Sequence, residues 1–247
     1  MYINTEGIIF RQVKATGGRR MILLFTKKYG KISAGTGFSE KSRSKAALAL
    51  RPFTYGNYEL YKGRDYYNLN SGEVVRSFFG IGENVDKYME SSFVLELTEK
   101  LVFEEVPQPK LFNLLVSFLA AMEKREQKHK TLVLAYEVKA LHILGSFPVL
   151  DRCVCCGREK TDYFSVKDGG AVCGKCRNPG KDALIYAPKF DIVSVLKFFL
   201  KTPVESFEKI ALGDDAAEEL QCILRKYMSY HLDLGTLKSE HIFQGEF

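Results

Sequence analysis

Two Cys-x2-Cys knuckles, Cys153/Cys156 and Cys173/Cys176, separated by sixteen residues, are the strongest chemical signal in the sequence. Two thiolates three positions apart on a tight turn hold one edge of a tetrahedron, and a second knuckle closes it. The expected product is a zinc ribbon with one structural Zn2+ ion on all four sulfurs, and the intervening YFSVKDGGAV is long enough for a short hairpin. Gly157 follows the first knuckle and Gly174 follows the first cysteine of the second, where the chain has to turn sharply. Four thiolates leave no open position for water or substrate, so the metal reads as a staple and not as a catalytic centre. In finger peptides such sites are worth about 10–16 kcal/mol of apparent binding energy. Lys160, Lys167, Lys175 and Arg177 would offset part of the thiolate charge. Cys155 pairs with Cys153 less well than Cys156 does, and is expected to be a free thiol or a neighbour of the ligands. A redox Cys-x2-Cys pair would want a thioredoxin-like βαβ setting, which this region lacks. Cys222, alone on a helical pattern, reads as a buried small apolar residue.

No other enzyme signature accompanies the cysteines. The sequence contains no GxxxxGK[ST], no GxGxxG after a strand, no HExxH and no GxSxG. His129, His142, His231 and His241 lie far apart, and His142 and His231 sit on helical patterns as core or boundary residues. The reading is of a non-enzymatic protein.

Charge supplies the second signal. The net charge is a modest +6, but residues 1–80 carry fourteen basic side chains against five acidic ones, a local excess of nine that leaves the remainder with a deficit of three. Such asymmetry points to a polyanion-binding module joined to a more neutral body. Within GFSEKSRSKAALALRPF, Lys41, Arg43, Lys45 and Arg51 alternate with small and hydroxyl residues, as a phosphate-tracking loop would. Tyr55, Tyr58, Tyr61, Tyr66 and Tyr67 lie on flanking strands, and those that point outward could stack on bases. If about five phosphates were neutralised, single-strand affinity should fall roughly a hundredfold between about 50 and 200 mM salt. The run KREQKHK at 124–130 reads as a solvated helix end and loop.

The elements that must position these groups fall into two classes. YINTEGIIFRQV, MILLFT, KISAGT, PFTYGNYELY, RDYYNL and EVVRSF are short, rich in β-branched and aromatic residues, and separated by Gly or charged turns. Five or six such strands in so few residues make a small barrel of the OB type the simplest solution, with an SH3-like barrel as the alternative. Near residue 82 the apolar period lengthens to that of helices. Val85, Tyr88, Met89, Leu95 and Leu101 share one expected face, and Leu111, Leu114, Leu115, Phe118 and Met122 the next, with Pro109 at a first-turn position. A third helix is expected from about Lys130 to Gly145, and two more carry the stripes Ile192/Val195/Leu196/Phe199 and Leu220/Ile223/Leu224/Tyr227/His231. Asp191 and Asp214 or Asp215 are the expected caps of these last two, and Gly235 the expected stop. The fold class is therefore α+β: an N-terminal barrel over 1–81, then an α-helical domain over 82–247 with the zinc ribbon inserted at about 150–180. The first twenty residues lack the apolar core of a secretory signal and no apolar run is long enough to span a bilayer, so a cytoplasmic protein with no membrane partner is expected.

Together these segments resemble the bacterial recombination mediator family RecO. The stretches that carry the likeness are TEGIIFRQV, LLFTKKYGKISA, KSRSKAALALRPFTYGNYELYKGR, LGSFPVLDRCVCCGR, YFSVKDGGAVC and the terminal LGTLKSEHIF, in the family's order over nearly the whole chain. The resemblance implies a non-enzymatic, nucleoid-associated mediator of DNA repair that binds single- and double-stranded DNA and anneals complementary strands. It implies work with the ring-forming partner RecR, a grip on the acidic C-terminal tail of single-strand-binding protein, and indirect help to RecA. It aligns Cys153, Cys156, Cys173 and Cys176 with zinc ligands, and puts Lys31, Arg43, Arg51, Lys62 and Arg64 in basic N-terminal motifs. Where many members have a Tyr-Gly-Glu-like turn, this chain has KATGGRR, which adds Arg19 and Arg20 to the first loop. The competing reading is a zinc-ribbon adaptor that binds only proteins.

Overall fold

The computed structural model describes residues 1–14, 20–38, 45–177 and 184–239. Five strands, β1 (Tyr2–Lys14), β2 (Arg20–Thr26), β3 (Gly30–Thr36), β4 (Thr54–Lys62) and β5 (Tyr67–Ser77), close into a barrel of order β1-β2-β3-β5-β4. The β3/β5 seam is parallel and every other pairing antiparallel. With a short helix α1 (Lys45–Ala49) between β3 and β4, this is the five-stranded OB barrel, and the SH3-like alternative falls away.

Alternation along the strands fills the interior. Ile3, Ile9, Ile22, Leu24, Ile32, Tyr58, Leu60 and Leu69 meet inside, and Ala49 and Leu50 join them from the end of α1. Strand β2 reads as an unbroken apolar run because both of its faces are covered. Ile22 and Leu24 point inward, whereas Phe25 stacks on Phe10 at 5.5 Å and meets Phe112 edge-on at 5.4 Å.

Two local expectations are corrected. RDYYNL and EVVRSF are not separate strands: β5 begins at Tyr67 within the first and runs on to Ser77 in the second, and Asn70-Ser71-Gly72, which has the composition of a turn, lies within it. Gly72 packs closely there: a Cβ would stand 3.2 and 3.3 Å from Ala49 and Tyr58. Part of the presumed phosphate loop is α1, whose Ala47 and Ala49 are buried.

Contacts divide the chain into two compact units, Met1–Lys124 with the segment from Lys238 onward, and Arg125–Leu237. In the first, the barrel packs with α2 (Val85–Leu101) and α3 (Pro109–Lys124). Asn84 caps α2 by accepting from Lys87 N, and α3 begins on Pro109 as expected. The first turn of α2 departs from its expected face, since Val85 and Tyr88 are exposed. Arg11 grips Glu99 of α2 through two nitrogens at 3.0 and 3.1 Å, and Arg76 pairs with Glu123 at 3.0 Å. Glu96 accepts from Lys238 N, Ser239 N and Ser239 Oγ at 2.7–2.8 Å, fastening the returning chain to α2.

The second unit holds α4 (His129–Ile143), a three-stranded sheet of β6 (Tyr163–Ser165), β7 (Gly170–Val172) and β8 (Ile185–Tyr186), then α5 (Ile192–Lys201) and α6 (Asp214–Leu232). Helix α4 is buried on nearly every side because α5 and α6 both pack on it. Asp191 caps α5 through Ser194 N as expected, but Asp214 and Asp215 lie inside the first turn of α6, whose cap position is Gly213. The helix stops at Asp233 in the left-handed conformation, two residues before Gly235. Cys222 is exposed, since α6 buries Ala217, Leu220, Ile223, Leu224, Tyr227 and Met228 and position 222 falls on the opposite side. No helix among the described residues is long and apolar enough to cross a membrane.

The run KREQKHK is not wholly solvated. Arg125 is 2% exposed, and its guanidinium donates to the carbonyls of Lys128, Phe207 and Ile210. His129 is buried too, while His142 is exposed and packs edge-on against Phe147.

Candidate nucleic-acid interface and metal centre

Strands β6 and β7 form the hairpin expected between the knuckles, with Tyr163, Phe164 and Ser165 opposite Val172, Ala171 and Gly170. Their ends bring Cys153, Cys156, Cys173 and Cys176 together, with all four Sγ atoms within 4.8 Å of one another and Cys156 and Cys173 at 3.6 Å. A tetrahedron with metal–sulfur bonds of about 2.3 Å has edges of about 3.8 Å, so the group has the size a zinc ion requires. Gly157 takes φ +76° and lets its N–H reach Cys153 O at 2.8 Å, whereas Gly174 needs no such conformation. Burial works against ionisation of Cys153, but the N–H groups of Cys173, Cys156 and Cys155 outweigh it and lower the thiol to about 6. The N–H of Cys176 does the same for Cys173. Arg177 lies over Tyr163, 4.4 Å from the ring centre. Cys155 is exposed and outside the group of four. Little apolar packing supports the knuckles: Cys153, Val172 and Cys173 are their buried residues.

On the barrel, the expected basic residues distribute unevenly. A groove of about 660 Å³ runs along the β3/β5 seam, lined by Arg20, Met21, Gly35, Thr36, Tyr66 and Asn68 among others. A second, of about 370 Å³, adjoins it through Tyr66 and Tyr67 and gathers Lys31, Lys62 and Arg64. Four of the nine expected contacts therefore line one continuous path. Arg20 is braced by Gln12 Oε1 and Phe38 O, and Lys31 donates to Glu99 O at 3.0 Å. Lys62 lies 3.3 Å from Glu105 and 5.1 Å from the Tyr67 ring centre, and its charge is held by Tyr67 first and by Glu105. Arg64 is exposed on the β4–β5 loop. Arg51, exposed after α1, lines neither groove. Lys45 opens α1, and only its backbone is described. Arg19, Lys41 and Arg43 lie outside the described residues.

The tyrosines separate by face. Tyr58 and Tyr67 are buried, and Tyr58 donates to Ala49 O at 2.6 Å. Tyr55 donates to Glu6 at 2.6 Å, and burial followed by that bond pushes its hydroxyl up to about 12. Tyr61 and Tyr66 are exposed, joined by Tyr2, which the sequence reading did not single out. Only the β1/β4 register, which sets Tyr2 opposite Tyr61, could have found it.

The path also carries acid. The segment between α2 and α3 lies along β3, with Glu105 N donating to Lys31 O at 3.0 Å. Gly30 makes room for it: its φ is +72°, and a Cβ there would stand 2.3 Å from Val106 O. Glu104 and Glu105 line the second groove beside Lys31, Lys62 and Arg64.

Comparison with known proteins agrees with this architecture at full length. The family model "Recombination protein O N terminal" matches residues 1–78, and "Recombination protein O C terminal" matches 82–241. A protein of Alkaliphilus metalliredigens named DNA repair protein RecO is 32% identical over 244 residues, 98% of each chain. One of the same name from Caldanaerobacter subterraneus is 30% identical over 234 residues, 94% of each. A third, from Thermoanaerobacter, is also 30% identical, over 94% of this chain and 93% of its own. With both halves matched in order and relatives covering almost every residue, this chain belongs to the recombination protein O family.

Proposed function

We propose that the protein is a non-enzymatic mediator of DNA repair that binds DNA on the barrel face running from Arg20 along the β3/β5 seam to Lys31, Lys62 and Arg64. The observation that carries this reading is the continuous pair of grooves, lined by four basic side chains, on the side of a closed OB barrel where that fold binds oligonucleotides. Cations would engage phosphates and fix the strand's register without reading its sequence. Two strands repel each other, and a basic surface that engages both backbones lowers that repulsion, so annealing needs no nucleotide hydrolysis. A separate groove on β1, β4 and β5 carries Glu6, Glu59 and Glu73 with Lys28 as its one cation, and is less suited to phosphate than the seam.

Cys153, Cys156, Cys173 and Cys176 would hold a zinc ion, which supplies cross-linking and no chemistry of turnover. The chain's own contribution is the set of N–H groups aimed at the sulfurs. In the cell the reading extends to a RecR-like ring partner, the acidic tail of single-strand-binding protein, and RecA loading that follows from their joint action. Arg19, Lys41, Arg43, Lys45 and Arg51 are further DNA contacts in the same proposal.

The test is annealing of two complementary oligonucleotides coated with single-strand-binding protein, without ATP, at low and raised salt. The reading predicts acceleration that fades as salt rises. DNA binding without acceleration would overturn the mediator role, and absence of DNA binding would overturn the interface itself.

A further inference from the structure

We propose that Tyr2, Tyr61 and Tyr66 form a base-stacking platform that takes unpaired bases and makes the barrel prefer a single strand to a duplex. The proposal rests on the DNA-binding reading and adds the chemical class that this end of the surface selects. Tyr2 and Tyr61 stand opposite each other in the β1/β4 register, with ring centres 5.4 Å apart and planes crossed at 66°. Tyr66 follows at 6.3 Å from Tyr61, tilted by 41°. The three are 59%, 37% and 53% exposed, so each offers ring surface to a ligand. Three adjoining exposed rings form an apolar patch that is costly to leave in water.

The support beneath the rings is ordered. Lys62 N donates to Met1 O at 2.8 Å, tying β4 to the start of β1, and Gly63 N donates to Tyr66 O at 2.9 Å, closing the loop. The Tyr66 ring lies over Gly63 so closely that a Cβ at Gly63 would stand 2.5 Å from it. Glycine at 63 leaves the room that the ring occupies.

Charge identifies the occupant. The chain reads Tyr61-Lys62-Gly63-Arg64-Asp65-Tyr66, so that two cations and one acid lie between two rings, and phosphates can be met beside the stacked bases. Tyr66 itself lines both grooves, which places this ring where the two halves of the basic path meet. A duplex keeps its base faces stacked inside and has none to give, so the rings discriminate while the cations do not.

The experiment is titration of a labelled oligothymidylate and of a short duplex with the full protein, its Tyr61→Ala/Tyr66→Ala variant and the corresponding Phe variant, at several salt concentrations. Two lost stacking partners should weaken single-strand binding by about a hundredfold, roughly tenfold per ring. Duplex affinity should stay within about twofold and the salt slope should not move, because no phosphate contact is removed. The Phe variant should bind like the parent, since it keeps the ring faces. Equal losses on both DNA forms, no loss on the single strand, or a Phe variant as weak as the Ala variant would each overturn the platform. If the unmodified protein binds neither DNA, the DNA-binding reading itself fails; if it binds a peptide partner through these tyrosines instead, the occupant is wrong.

Discussion

Replacing Arg125 by Met should destabilise the Arg125–Leu237 unit by about 3 kcal/mol while leaving DNA binding unchanged. The side chain is almost fully buried and its three hydrogen bonds end on main-chain carbonyls of Lys128, Phe207 and Ile210, so it fastens the segment before α6 to the start of α4. Burial lowers its pKa from the ordinary arginine value, yet a guanidinium stays protonated under all working conditions. Methionine keeps much of the stem's packing and strands the carbonyls, each at about 1–3 kcal/mol. Against that total stands the relief of no longer burying a cation, which is itself several kcal/mol, and the difference is about 3. Urea unfolding followed by circular dichroism reads this directly: with a slope of about 1–3 kcal/mol per molar, the midpoint of that unit should fall by about 1–3 M. A shift below about 0.3 M would refute the reasoning, and a loss of DNA affinity in a variant still folded would return Arg125 to the solvated basic run of the sequence reading.

Three further outcomes are expected. Metal analysis should find about one zinc per chain, and Cys153→Ser should release it and expose the 150–177 region to protease, because so little apolar packing holds the knuckles; a variant that stays metal-loaded and resistant contradicts the staple. Glu105→Gln should free Lys62 and raise DNA affinity at low salt by up to about fivefold, with the gain vanishing as salt rises; a fall in affinity would show that the acidic segment supports the surface. Glu96 is pushed up by burial but held below its ordinary carboxyl value by the Ser239 hydroxyl and the N–H groups of Ser239 and Lys238. A lowered folded pKa means that its contribution is complete above the ordinary value of 4.5 and is lost as pH falls through the folded one. Cleavage near Lys238 should therefore rise in acid, and Glu96→Gln should raise it at neutral pH, with equal protection in parent and variant counting against the latch.

Much of this could be read from residue order alone, for definite reasons. The cysteine spacing carries its own geometry, since a Cys-x2-Cys turn holds two sulfurs at bonding separation wherever it lies, and the four sulfurs meet as expected. Asp191 and Pro109 were legible because capping and first-turn preferences act within a few residues. What depends on tertiary contact was not. Arg125 looks solvated among its basic neighbours and is buried by partners more than eighty positions away. Cys222 looks like a core residue until the other side of α6 is seen to supply the core. Asn70-Ser71-Gly72 has turn composition, but it lies inside a continuous strand, with Gly72 packed against Ala49 and Tyr58. Tyr2 becomes a candidate only through its register with Tyr61, and the acid of Glu104 and Glu105 reaches the barrel from the segment between two helices.

The central claim, that DNA lies along the β3/β5 seam, is tested most directly by the salt dependence of single-strand binding for the parent and for an Arg20→Ala/Lys62→Ala/Arg64→Ala variant. At about 0.7 per phosphate contact, the slope of log affinity against log salt should become shallower by about two when three contacts are lost, with the fold intact. An unchanged slope in a folded variant would contradict the claim and move the DNA off this face.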